Sequence, residues 1–370
     1  MDNRVALVRG IGSHNGGAEL LLRATADRLP STWMPIADGR RTSGELLERW
    51  NVGKFWDIAK LGVARSAGWD LAPRALAKRT GLYSDRHIDA VLDASGFFLS
   101  DQWSATAIAR DAQTFARLAR RGTPIVMLPQ AFGPFEKPEV AAAARNLLQT
   151  TQLIFARDSV SLGHLKKLLG NDSRLRKAPD ITIALDVGHE PEQSNVIGIV
   201  PNVNIPSRSS EPDARQQYVS ALAAMCALVR ERGYEPVLFA HSSHGDPSIV
   251  TEVRSVDPTV REFNPRDGVE SKKFIGSCAG IIAGRYHAIV SALSQGVPAV
   301  AHSWSHKYGE LLDDFDVDRG LADPNSAQES VAVLDDIMSD AGYGDRLTAA
   351  RARLRQTVEQ AWGEVLSVLR

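Results

Sequence analysis

Cysteine is nearly absent from this 370-residue chain: Cys226 and Cys278 are the only two, each inside an apolar stretch. Two lone cysteines without a Cys-x-x-Cys partner argue against a disulfide scaffold, an iron–sulfur cluster and a cysteine-based zinc site. Net charge is lacking too, at −1 overall, so nothing draws the whole chain to nucleic acid and any anion site must be local. No apolar run approaches the roughly 20 residues that a membrane-spanning helix needs. Met1 to Val8 runs straight into a strand-like segment without the apolar core of a signal peptide. The expectation is a soluble, cytoplasmic protein.

What is present is ordinary globular material, 44% hydrophobic and 24% charged, with no low-complexity tract. The length exceeds one compact core and suits two domains. Short apolar runs alternate with helix-length stretches along most of the chain. Val5–Val8, Ala90–Leu92, Pro124–Leu128 and Leu153–Ala156 read as strands, with helical patterns over 18–29, 106–121 and 139–151. After a polar break at His189–Asn195 the pattern resumes with Val196–Val200, Pro236–Ala240, Ile281–Ala283 and Val297–Val300. Such alternation builds βαβ units and parallel sheets. The fold class expected is α/β, with two doubly wound, Rossmann-like domains facing a cleft. Residues 1–188 would form the first domain and 189–345 the second. A final amphipathic helix over 346–370, with Leu347, Leu354, Val358, Trp362, Val365 and Leu369 at helical spacing, would pack back on the first.

Ligands of open α/β sheets bind beyond the carboxyl ends of the strands, so function is sought in the loops there. The sharpest is Ile281–Tyr308. An apolar strand ends at Gly284, Arg285-Tyr286-His287 opens a helix, and the next strand leads into a polar loop carrying His302, Ser303, His306 and Lys307. A helix start offers amide hydrogens to an anion. An arginine forks onto a carboxylate or phosphate, and an imidazole gives or takes a proton near neutral pH. An isolated Arg-x-His is weak evidence by itself and fits better a pair that caps the helix and bonds to neighbouring backbone.

The whole Ile281–Tyr308 block resembles the C-terminal signature of the polysaccharide pyruvyl transferase family: strand, Arg-x-His, helix, Gly-x-Pro, strand, aromatic loop with Lys. Further blocks resemble the family in the same order. Gln130-Ala131-Phe132-Gly133-Pro134 matches its Gln-x-x-Gly-Pro, Arg157-Asp158-Ser159-Val160-Ser161 its Arg-Asp-x-x-Ser, and Pro179-Asp180 its Pro-Asp. Asn15-Gly16-Gly17-Ala18-Glu19 and Ala94-Ser95-Gly96 are weaker counterparts. Ala18 replaces an acidic residue, and only Gly96 survives of a glycine triplet; both departures bear on the acceptor rather than the donor.

The resemblance implies a GT-B-like transferase. It would move an enolpyruvyl unit from phosphoenolpyruvate onto a saccharide or lipid-linked saccharide as a ketal, without metal or other cofactor. It assigns His287, Arg285 and Arg157 to catalysis. Arg157, Arg285, Tyr286, His287, Ser303 and Lys307 would hold the donor, and Asn15, Gly96, Asp101, Trp103 and Gln130 the acceptor. Alternative readings stay open. Arg157 would pair with a carboxylate if Asp158 caps a helix there. Trp103 would be a core residue beside a capping Asp101, and Gly133-Pro134 would only shape a turn. His241, His244 and Asp246 imitate a metal site but fit a stabilised polar loop better. Gly10-Ile11-Gly12 lacks the third glycine of a dinucleotide fingerprint.

Residues 40–79 carry an excess of five positive charges, with Trp50, Phe55, Trp56 and Trp69 interleaved. They suit a surface helix pair whose aromatics join the core, or an edge that meets a membrane or the acceptor. Two other classes compete with pyruvyl transfer: a nucleotide-sugar glycosyltransferase on the same architecture, and a non-catalytic sugar- or anion-binding relative.

Overall fold

The computed structural model describes residues 3–12, 14–56, 73–188, 194–303, 307–317 and 319–370. The chain forms two compact units. The first comprises Met1–Ser13, Leu21–Ile181 and Thr357–Arg370; the second comprises His14–Leu20 and Thr182–Gln356.

The first unit is built on an eight-stranded sheet in the order β4-β3-β2-β1-β5-β6-β7-β8. The strands are β1 (Arg4–Arg9), β2 (Trp33–Asp38), β3 (Gly53–Phe55), β4 (Leu82–Tyr83), β5 (Ala90–Asp93), β6 (Ile125–Gln130), β7 (Leu153–Ala156) and β8 (Leu175–Lys177). Every pairing is parallel. The inner strands β5, β6 and β7 are buried at every residue, as expected of a parallel sheet covered on both faces. Helix Ala105–Ala119 shows how sequence dictates the cover. Ser104 accepts the Ala107 amide at 3.2 Å to cap it, and Ile108, Ala112, Phe115 and Leu118 form one buried stripe. Burying a side chain such as Phe115 contributes roughly 1.5–3 kcal/mol. The chain winds outward from β1 to β4, then returns to place β5 on the other side of β1. That reversal is a topological switch point.

The second unit carries a six-stranded parallel sheet in the order β11-β10-β9-β12-β13-β14. Its strands are β9 (Val196–Val200), β10 (Glu235–Leu238), β11 (Arg261–Glu262), β12 (Gly280–Ala283), β13 (Ala299–His302) and β14 (Leu321–Ala322). Here the reversal falls between β9 and β12. Helix Ala214–Glu231 buries Tyr218, Leu222, Met225, Cys226 and Val229. Burial pushes both the Cys226 and Cys278 thiols up to about 12, which suits inert core residues.

The last helix, Tyr343–Val368, buries Leu347, Leu354, Val358, Trp362 and Val365 along one stripe, with Leu369 buried just beyond it. Its residues from Thr357 onward belong to the first unit. Among the described residues no helix is long and apolar enough to cross a membrane.

Candidate active site

At the second unit's switch point the ends of β9 and β12 are locked together. The Gly284 amide donates to Val200 O at 2.8 Å, and Gly284 O accepts from Asn202 Nδ2 at 2.6 Å and Tyr308 Oη at 2.7 Å. A Cβ on Gly284 would lie 2.8 Å from Ile205 Cδ1 and 2.9 Å from Asn202 Cβ, so only glycine allows this approach. The backbone that presents Arg285 is fixed on both sides.

The guanidinium is fixed as well. Arg285 Nε donates to Asp246 Oδ2 at 2.7 Å, and Nη2 bonds the other carboxylate oxygen. Asp246 starts the helix Asp246–Val256, is fully buried, and also accepts the Val203 amide at 3.1 Å. Burial pushes its carboxyl up, while Arg285 and the Val203 and Ser242 amides pull it down. Nη1 is the remaining amino group of the Arg285 fork.

Arg285 is followed by helix Tyr286–Leu293, which no side chain caps. Every residue of that helix is buried except His287, which is partly exposed. The imidazole lies edge-on to the Tyr286 ring, with centroids 5.4 Å apart. Tyr286 in turn meets Tyr308, and Lys307 Nζ lies 5.8 and 5.5 Å from these two rings.

The other side is made by residues 14–19. Asn15 bridges Ser242, the Gly16 amide donates to His241 O at 3.0 Å, and Ser242 Oγ donates to His14 O at 2.7 Å. Asn15 Oδ1 accepts the Gly17 amide at 2.9 Å. Glu19 reaches the Gly268 amide at 2.6 Å and so satisfies the start of helix Gly268–Ser277. A Cβ on Gly17 would fall 2.2 Å from His287 Nδ1, and one on Gly16 3.0 Å from His241 Cε1. The two imidazoles therefore rest on bare backbone. His241 is buried with no hydrogen-bond partner at Nε2. Burial, followed by the charges of His287 and Arg285, lowers its pKa to about 3, so it is neutral at physiological pH.

Of the residues assigned from sequence, Arg285, Tyr286, His287, Ser303 and Lys307 all belong to the second unit. Asn15, expected on the acceptor side of an N-terminal domain, belongs there too, seated against Ser242. Trp304, Ser305 and His306 lie outside the described residues.

The remaining assignments belong to the first unit. Arg157 is 4% exposed and bonds Asp180 at 3.1 Å, while Asp158 accepts the Ser161 amide at 2.6 Å and caps helix Ser159–Leu169. That is the ion-pair reading of the Arg-Asp-x-x-Ser run. Gln130 is fully buried, and its Nε2 lies 3.2 Å from Asp93 Oδ1, tying β6 to β5. Asp101 accepts the Glu136 and Lys137 amides at 2.7 and 3.2 Å, setting the loop before helix Pro138–Leu148. Gly96 has φ +69 and accepts the Ala131 amide at 2.9 Å, a turn role. Trp103 is no core residue. It is 45% exposed, with Nε1 donating to Phe97 O at 3.0 Å.

In the His241–Asp246 loop Asp246 holds Arg285 and Ser242 Oγ donates to His14 O. Among the described residues no group of three metal-ligating side chains converges. Sequence reading missed Asp246 as the partner of Arg285; its signal was an acid in a polar loop directly after another strand of the same sheet.

Two doubly wound parallel-sheet units, each with its switch point at the carboxyl edge, define a GT-B-like α/β protein. Solved structures support this fold. The UDP-GlcNAc 2-epimerase from Neisseria meningitidis bound to UDP-GlcNAc is 12% identical with a TM-score of 0.62, each chain 99% covered. Anabaena Alr3699/HepE in complex with UDP and glucose is 14% identical with a TM-score of 0.61, again with 99% of each chain covered. The S. aureus MnaA–UDP structure is 11% identical with a TM-score of 0.59, covering 94% of this chain and 91% of its own. No curated protein matches the chain in sequence. The polysaccharide pyruvyl transferase family matches residues 15–306, and the chain belongs to it. It is a transferase, and its role is pyruvyl transfer on polysaccharides.

Proposed function

We propose that the second unit binds phosphoenolpyruvate at its switch point and transfers the pyruvyl group to a saccharide diol as a ketal. The observation that carries this reading is His287: the one partly exposed residue of an otherwise buried helix, two residues from a guanidinium that Asp246 holds in place. The donor bears a carboxylate and a phosphate on three carbons. Arg285 Nη1, Lys307 and the start of helix Tyr286–Leu293 supply positive potential for them. Asp246 keeps the fork from swinging away.

In this scheme His287 passes its proton to C3, which becomes the methyl carbon, and C2 takes on oxocarbenium character. One sugar hydroxyl adds to C2. Phosphate then leaves and the second hydroxyl closes the ring; of the two hydroxyl protons, one restores His287 and one leaves with phosphate. Orienting the diol supplies a large share of the acceleration, since intramolecular attack is worth roughly 7–11 kcal/mol. Positive charge around the departing phosphate supplies another. The reaction as written calls on no cofactor beyond the donor.

The solved neighbours in complex with UDP or UDP-sugars motivate the competing reading, a nucleotide-sugar transferase. Thermal denaturation separates the two. Phosphoenolpyruvate raises the melting temperature and UDP-glucose leaves it unchanged if the proposal holds. Stabilisation by UDP-glucose alone would replace it.

A further inference from the structure

The second unit has a recess at the edge of its sheet opposite the switch point. It encloses about 450 Å³, a size common among small-molecule sites. Its lining comes from the stretch just before β14, the end of helix Ala327–Ser339 and the start of helix Tyr343–Val368, hence from the amino edge. Val317, Ile337 and Tyr343 are buried and make an apolar floor. Asp316, Arg319, Asp336, Asp340 and Arg346 make a charged rim.

Part of that rim is already paired. Arg346 Nη2 bonds Asp340 at 2.6 Å, and Arg353 Nη1 bonds Asp316 at 2.8 Å. Arg346 and the Gly342 amide hold the Asp340 carboxyl below its ordinary value, and the charge of Arg319 adds to that. Among the described residues, however, Arg319 and Asp336 form no ion pair. A guanidinium and a carboxylate that line one recess without meeting suit a ligand that carries both charges. The floor asks that this ligand have an apolar body.

The recess also borders a helix that starts at the switch point. Helix Lys307–Asp314 opens with Lys307 and Tyr308, and Tyr308 Oη donates to Gly284 O at 2.7 Å. Its far end is closed by two backbone bonds, from Asp316 to Asp313 O at 3.1 Å and from Val317 to Leu312 O at 2.9 Å. Asp316 takes the left-handed position of that closure at φ +56, where glycine is usual. A helix of eight residues is about 12 Å long. One short rigid element thus joins the rim to the backbone that presents Arg285.

We infer that this recess is a regulatory site for a free amino acid with an apolar side chain. Its carboxylate meets Arg319, its ammonium meets Asp336, and its side chain rests on Val317 and Ile337. Occupying the rim holds the end of helix Lys307–Asp314, steadies Lys307 and Tyr308, and tightens the grip on the donor. The effect on the donor rests on the phosphoenolpyruvate reading above; the binding itself does not.

Leucine, valine and phenylalanine are titrated into the full chain by calorimetry, beside N-acetyl-leucine and leucinamide, each of which lacks one charge. At least one amino acid should bind, and the two blocked forms at least tenfold more weakly. Arg319→Gln and Asp336→Asn, both at exposed positions, should each weaken binding about tenfold and leave the rate without amino acid unchanged. The bound amino acid should lower KM for phosphoenolpyruvate about fivefold in the wild type and in neither variant. By linkage, phosphoenolpyruvate should tighten the amino acid by the same factor. Binding of none of the three, equal binding of the blocked forms, or binding that both variants retain overturns the site. Binding that leaves KM unchanged overturns the regulation. If phosphoenolpyruvate itself fails to bind, the donor reading falls, while amino-acid binding that Arg319→Gln loses still upholds the recess.

Discussion

Arg157 and Arg285 look alike in the sequence. Each follows an apolar strand closely, each opens a helix, and each suits an anionic donor. In the structure both meet a buried aspartate, Asp180 and Asp246, but the resemblance ends there. After Arg157 the helix is closed by its own cap, Asp158, and the arginine side chain is 4% exposed. After Arg285 no side chain caps the helix, the arginine keeps 13% exposure, and His287 stands beside it. A strand-end arginine is therefore not a site by itself. What decides is whether the neighbouring polar groups use one another up or leave one face for a ligand.

The comparison can be broken at its strongest point first. His287→Ala should lower turnover by about 10²–10⁴-fold, the usual share of general acid–base catalysis, at an unchanged melting temperature. Phosphate release in single-turnover runs reads this, and a folded variant with wild-type rates ends the assignment.

Next come the two ion pairs. Arg157→Met and Asp246→Asn each leave a buried partner without its counterpart and should destabilise by about 3–5 kcal/mol in urea titrations. Their activities should part. Folded Arg157→Met should retain its phosphate-release rate, whereas Asp246→Asn should raise KM for phosphoenolpyruvate at least tenfold. Equal kinetic damage from both would put Arg157 back in the donor site.

Gly17→Ala should displace the His287 ring and reduce kcat about tenfold with little change in KM, because the new methyl needs the space of Nδ1. An unaffected kcat would show that the glycine pair does not hold the imidazole.

The smallest effect is acid sensitivity. Burial holds His241 at about 3 and His302 at about 4 in the folded protein, below the ordinary histidine value. The unfolded chain therefore binds more protons between roughly pH 6.5 and pH 4, and stability falls as pH drops through that window. His302→Gln should flatten the slope by on the order of 1 kcal/mol per pH unit in that range. An unchanged slope would mean that this imidazole is protonated in the fold.

Much of the fold was legible because its inner strands are short runs that are apolar on both faces. β1, β5, β6, β7, β9, β10, β12 and β13 all announce themselves as apolar runs. The outer strands β3, β4, β8, β11 and β14 are two or three residues long, and β2 carries a proline, so none rises above its surroundings. Arg285 and His287 were legible as a motif at a strand end. The pairings that give them meaning were not. Asp246 is 39 residues from Arg285, Glu19 is 249 from Gly268, and Gly17 meets His287 across most of the chain. Such contacts leave no periodic trace. The partners of Gln130, at the end of β6, and of Asp101 were not legible either: a polar residue past a strand looks the same whether it faces a ligand, a neighbouring strand or a backbone amide. In the 40–79 stretch, Trp50 and Phe55 are core residues and Trp56 is exposed; residues 57–72, with Trp69, lie outside the described residues.

The central claim is that His287 protonates C3 of phosphoenolpyruvate. Running the transfer in D₂O with a saccharide acceptor, and reading the product methyl group by mass spectrometry and NMR, tests it most directly. The account expects wild-type ketal with one solvent deuteron in the methyl group, and almost no ketal from a folded His287→Gln variant. A His287→Gln enzyme that forms the same labelled ketal at the wild-type rate would contradict it.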